Sequence, residues 1–125
     1  MQAALLNYKG QQLTDFPAEL LENQQITHLN LENNLLTTIP NWITKLSNLK
    51  VLYLSNNLLL DIDILTTLPT LEVLHLNNNR ITNIPDSVTN LKHLKQLFIN
   101  RNLISHLPDA LCNLPDLNTL LLAEK

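Results

Sequence analysis

An eleven-residue phrase recurs along this chain at a nearly fixed interval, and few folds can accommodate such a pattern. Its clearest copy runs from Leu71 to Ile81 (LEVLHLNNNRI), with leucine-type residues at positions one, four, six and eleven and an Asn at position nine. Ile26–Leu36, Leu49–Leu59 and Leu94–Ile104 repeat the arrangement, and Leu117, Leu120 and Leu122 begin it again. Starts at Ile26, Leu49, Leu71, Leu94 and Leu117 are spaced by 23, 22, 23 and 23 residues. A period in that range is the mark of a solenoid. Positions four and six are apolar with a polar or variable residue between them, which describes a short strand with one face buried. So short a strand cannot bury that face alone. Stacking successive coils sets the strands side by side and closes the Leu rows into one continuous core.

Asn34, Asn57, Asn79 and Asn102, all at position nine, have a separate task. An amide that both donates and accepts can satisfy backbone groups where the chain turns out of the strand. Recurring at one register, these side chains are expected to form a ladder inside the solenoid.

These residues resemble the leucine-rich repeat family, whose pattern is L-x-x-L-x-L-x-x-N-x-L. The segments after the Asn also fit: Leu36 to Pro40, Ile81 to Pro85 and Leu107-Pro108, followed by apolar residues at Ile43, Leu46 and Leu49, at Val88, Leu91 and Leu94, and at Leu111, Leu114 and Leu117. The resemblance implies an α/β solenoid, a curved right-handed superhelix with a parallel β-sheet on its concave side and short helical or extended segments on its convex side. It also implies that partners bind the concave face. The Ile-Pro and Leu-Pro phrases and the 23-residue period resemble the intracellular type, as found in bacterial effectors and eukaryotic signalling scaffolds.

Residues 1–125 fit a single domain. On the repeat pattern it divides into a degenerate first repeat (3–25), full repeats (26–48, 49–70, 71–93, 94–116) and a partial one (117–125). In the first, Ala3, Leu6, Tyr8, Gln11 and Leu13 fall on the key positions, Gln11 standing in for Asn, and Phe16-Pro17 echoes Ile39-Pro40. The repeat that starts at Leu49 is one residue short and lacks the Pro. Asp61 and Asp63 there alternate with an inward Ile62, so they read as solvated acids rather than metal ligands, and a differing outer segment, a short helix from Asp63 to Thr67, is expected. Trp42 and Cys112 are expected to be half-buried on the outer side. Leu120-Leu121-Leu122 makes an apolar edge strand, a pairing hazard. Truncation, a partner on that edge, or a homodimer through it are the alternatives it leaves open.

Composition narrows the function. There are 32 Leu and 18 Asn but one Gly, so a Gly-rich phosphate loop is excluded. A net charge of −3 argues against nucleic acid, which would need a run of cations to displace counterions. No apolar stretch approaches the roughly 20 residues of a membrane span, so no membrane insertion is expected. One Cys excludes an internal disulfide, and no N-x-S/T sequon occurs among the Asn residues. A reducing compartment follows as the expected setting, the cytoplasm of a bacterium or, for a translocated effector, of its host.

Positions two, three, five, seven and eight are expected to point out from the strand side. Position five reads Asn7, Asn30, Tyr53, His75, Phe98 and Leu121, and position three includes Val51 and Val73. With strands about 4.8 Å apart, Tyr53, His75 and Phe98 should form a contiguous column that Leu121 extends. Contiguous apolar surface on an exposed strand face marks an interaction site. Arg101, beside that column, completes the candidate anchors. The strand side carries a charge of +2 and the rest of the chain −5, which suits a partner with acidic residues around an apolar anchor.

An enzyme would need a nucleophile, a base and oxyanion donors that converge. His28 and His75 stand two repeats apart, His93 and His106 fall on connecting segments, and no pair has metal-ligand spacing. The sequence therefore reads as a non-enzymatic protein-binding module with no cofactor. The alternative is a structural or self-associating segment of a larger scaffold that makes contact through its C-terminal edge.

Overall fold

The structure, a computed structural model, describes residues 4–121, without the side chains of residues 119 and 121. Ala3 and Leu122, which the repeat pattern assigns to its flanking coils, lie outside the described residues. Six three-residue strands form one parallel sheet in sequence order: β1 (Leu5–Asn7), β2 (His28–Asn30), β3 (Val51–Tyr53), β4 (Val73–His75), β5 (Gln96–Phe98) and β6 (Thr119–Leu121). Each strand holds positions three to five of the phrase, and every pairing keeps like positions opposite one another. Leu29 faces Leu52, for example, and Leu74 faces Leu97. Parallel strands need a crossover between them. Here it is the rest of the coil, which crosses the outer side in a 3-10 turn: Ala18–Glu22, Asn41–Lys45, Asp63–Thr67, Asp86–Asn90 and Asp109–Asn113.

The short helix expected from Asp63 to Thr67 in the shortened repeat is present as a 3-10 turn, but it does not set this repeat apart. The other coils have the same 3-10 turn, and what differs is the approach to it. Pro17, Pro40, Pro85 and Pro108 precede four of the turns in extended geometry, φ near the ring's own preference. Ile62 precedes the fifth at φ −118° and ψ 14°, a tighter path that absorbs the missing residue.

The core lies between sheet and turns. Position-four leucines Leu29, Leu52, Leu74 and Leu97, position-six residues Leu31, Leu54, Leu76 and Ile99, and outer-side residues such as Ile43, Leu65, Val88 and Leu111 are all buried. Each fully buried Leu or Ile stabilises the fold by about 1.5–3 kcal/mol relative to exposure. The first coil is closed by Phe16, whose ring meets Trp42 edge-on at 6.3 Å between centroids. Trp42 is half-buried against the core, whereas Cys112 is exposed, contrary to the reading from its apolar neighbours. It stands on the outer turn Asp109–Asn113, where the inward place is taken by Leu111.

The Asn side chains of position nine stitch the coils together. Asn57 Nδ2 donates to the carbonyls of Leu31 and Leu54 at 3.0 Å, while its Oδ1 accepts the Leu36 amide at 3.0 Å. Asn79 repeats this with Leu54, Leu76 and Leu59, and Asn102 with Leu76, Ile99 and Ile81. Asn34 accepts from Gln11 and Leu13 and donates to Tyr8 and Leu31. Each amide thus joins its own coil to the preceding one, at a turn where carbonyls would otherwise be buried unpaired. Gln11 does not substitute in this role: its side chain is exposed, and only its backbone amide joins the ladder.

Position eight shows why Asn and the single Gly stand where they do. Gly10, Asn33, Asn56, Asn78 and Arg101 all have φ between 56° and 70°, in the left-handed region. Gly reaches it freely and Asn with little strain, whereas a longer side chain is disfavoured by about 1–2 kcal/mol. Bending there aims the Asn33, Asn56 and Asn78 amides at the next coil, onto Ser55, Asn77 and Asn100 carbonyls.

Candidate functional site: the sheet face

Position five changes character along the sheet. In the first two coils Asn7 and Asn30 occupy it, and each accepts a hydrogen bond at 3.0 Å from the amide two residues on, that of Lys9 or Glu32. These are Asx turns, which satisfy the position-seven amide locally. In the later coils that amide is satisfied otherwise. Ser55 Oγ accepts from the Asn77 amide at 3.0 Å, and Asn77 Oδ1 accepts from the Asn100 amide at 2.7 Å. Side chains of position seven thus cap the following coil, and position five is released from that duty in β4 and β5. Ser55 is buried, which corrects for this coil the expectation that position seven points to solvent, while Lys9 at the same position is exposed. Alternation along a strand did not reveal this, because the acceptor lies one coil away.

Rings stand at position five in β3, β4 and β5. Tyr53 and His75 stack with centroids 4.6 Å apart and planes at 29°. His75 and Phe98 stack at 4.0 Å and 6°. All three are half-buried, as are Val51 and Val73 beside them at position three. Leu121 is paired with Phe98 in register, and its side chain lies outside the described residues. Arg101 does not stand on the strand. It follows β5 in the left-handed turn, exposed at the margin of the column.

At the other end of the column the step down from Tyr53 to the smaller Asn30 and Asn7 leaves a hollow of about 260 Å³, which Leu5 and His28 also line. Leu5 is 64% exposed, a large apolar side chain at the rim.

Charge on this face is mixed. Lys95 and Glu72, neighbours at position two, pair at 3.5 Å. Burial in the stack lowers the His75 pKa, opposed by its contact with Gln96 and by the Glu32 carboxylate. The ring is therefore held neutral further into the acid range than a free histidine. Away from this face, Tyr8 donates to the Glu19 carboxylate at 2.5 Å, and burial followed by that contact pushes its pKa up to about 12. Among the described residues no group of three or more His, Cys, Asp or Glu is placed to hold a metal ion, and no helix is long and apolar enough to cross a membrane.

A repeating core closed by one parallel sheet and a row of short outer turns defines a class of protein, the solenoids. The comparisons with known proteins give its family. The leucine rich repeat family model matches residues 6–59 and 69–124, and the chain belongs to that family. A leucine-rich repeat protein of Leptospira interrogans shares the fold with a TM-score of 0.79 and 30% identity over 90% of this chain. An internalin of Listeria monocytogenes has a TM-score of 0.73 and 24% identity over 88% of this chain. The chain spans 30% of the first protein's length and 34% of the second's. No curated protein matches the sequence. The fold is thus the solenoid of that family, with a parallel sheet and short 3-10 turns, and members of that family are typically non-enzymatic protein-interaction modules.

Proposed function

We propose that this chain is a non-enzymatic module that holds a partner protein on its concave sheet face. Tyr53, His75 and Phe98 are the central anchors, Val51, Val73 and Leu121 flank them, and Arg101 stands at the margin. The observation that supports this most directly is the unbroken stack of rings at 4.6 and 4.0 Å on a surface left half-open. Rings held rigid by each other lose little entropy on binding, and Tyr and Arg are favoured at binding hot spots. The hollow beside Tyr53 accepts an apolar side chain, and the +2 charge of the strand side suits acidic residues around it. The exposed free thiol of Cys112 suits a reducing cytoplasm, and the two similar structures named above are bacterial, so a bacterial effector acting on a host protein is the setting this reading favours. Affinity capture from host-cell lysate, with wild-type chain and a Tyr53→Ala/Phe98→Ala variant in parallel, tests it. A partner retained equally by both would sink the reading.

A further inference from the structure

The outer side of the solenoid is regular except beside the shortened coil. Where the other coils place Thr37, Thr82 or Ser105 after position eleven, this one places Leu60, which is 55% exposed. The missing Pro lets the chain reach its 3-10 turn by the tight path through Ile62, and a groove of about 550 Å³ opens between this coil and the one before it. Between the two later coils, where Pro85 and Pro108 are both present, the corresponding recess is about 290 Å³. The groove at the shortened coil has an apolar floor of Ile39, Leu60 and Ile64, and Asp61 and Asp63 stand in its wall. A second, smaller recess of about 210 Å³ on the far side of the same segment again includes Leu60, Asp61 and Asp63.

The two carboxylates are close and like-charged. The Asp63 amide donates to Asp61 Oδ1 at 2.8 Å, which holds the Asp61 carboxylate beside Asp63, and both residues line the groove. Partial burial and then the Asp61 charge raise the Asp63 pKa. The ion pairs among the described residues, His93 with Asp116 and Lys95 with Glu72, involve neither. Two acids and no third ligand make a poor metal site, whereas an aliphatic lining beside carboxylates outside those ion pairs matches a long basic side chain. Lys and Arg lay their methylene stems on apolar surface and keep the charged head at its edge.

We propose that this groove is a second docking site, distinct from the sheet face, that seats a Lys or Arg side chain next to an aliphatic residue in an extended segment of a partner polypeptide. Charge complementarity carries the assignment: Asp61 and Asp63, joined through the Asp63 amide, adjoin the exposed apolar side chain of Leu60 in the lining of one groove.

The test is an NMR titration of the full chain with the capped tripeptide acetyl-Leu-Arg-Leu-amide and with its uncharged citrulline counterpart. The arginine peptide should shift the amides of Thr38, Leu60 and Ile64 at low salt. The citrulline peptide, and the arginine peptide against an Asp61→Asn/Asp63→Asn variant, should each bind at least tenfold more weakly. Equal affinity for the two peptides, shifts centred on Tyr53 and Phe98, or no shifts at millimolar peptide would each overturn the proposal. So would concentration-dependent shifts at the groove without peptide, which would assign it to a second copy of this chain. Because the sheet-face residues are untouched in these variants, failure here leaves the concave-face reading standing, and the reverse holds too.

Discussion

Position five and position nine of the repeat lie four places apart, yet the two behave in opposite ways along the solenoid. Position nine is Asn in four successive coils and makes the same bonds each time, to the carbonyls of its own coil and the one before. Position five passes from Asn7 and Asn30 to Tyr53, His75 and Phe98, and its bonding changes with it. A side chain that closes the backbone's hydrogen bonds has no latitude, because the groups it satisfies are the same in every coil. One that stands on the outer strand face is limited only by the amide it must cap, and once Ser55 and Asn77 take over that capping it can carry whatever a surface requires. Sameness along the stack thus reports on the fold, and change along it marks the positions that the fold leaves free.

Substitutions should separate these two kinds of position. The largest loss belongs to the shared interior: Leu74→Ala should lower unfolding free energy by about 2–5 kcal/mol in urea titrations. A loss under 1 kcal/mol would mean that the coils do not form one cooperative core. Asn57→Ala removes partners of the Leu36 amide and the Leu31 and Leu54 carbonyls, and should cost about 3 kcal/mol with no change of the sheet face. If it proves as mild as a surface change, the ladder is ornamental and the contrast with position five fails.

The Tyr53→Ala/Phe98→Ala pair should cost only about 1–2 kcal/mol, since it forfeits two ring contacts and no backbone bonds. Partner affinity should fall at least tenfold. The reverse pattern, collapse of stability with affinity intact, would move position five into the structural class. Arg101→Asn should raise stability by up to about 1 kcal/mol, because Asn suits a φ of 59° better than Arg does. A simultaneous loss of partner affinity would show that the strain at this residue is retained for contact.

The smallest effect is one of pH. His75 has a folded pKa below the ordinary histidine value, so the native state binds fewer protons than the unfolded one. Its contribution is complete above about 6.5 and is lost as pH falls from there through the folded value. Comparing the slope of stability against pH for wild type and His75→Gln below pH 6.5 checks the sign. Tyr8 supplies a contrast at the other extreme: its raised pKa contributes stability below about pH 10 that is lost as pH rises toward about 12, and Tyr8→Phe should abolish that dependence.

The period of the apolar residues was enough to place every described strand, its register and its inward leucines, since a residue's direction along a strand follows from covalent geometry. The Asn of position nine was legible for the same reason, as a polar residue where the pattern demands an interior one. Other features were decided only when the coils stacked. Asn33, Asn56 and Asn78 look like generic turn residues until the shared left-handed φ shows what the neighbouring coil's carbonyls require of them. Ser55 looks like a surface residue until the Asn77 amide of the next coil arrives above it. The exposure of Cys112, the reuse of one 3-10 turn in the shortened repeat, and the groove beside Leu60 depend likewise on how one coil lies on another. Intervals along a chain record which side chains turn inward together. What each of them meets there is settled by groups some 22 residues away, and only the stacked coils bring those groups into reach.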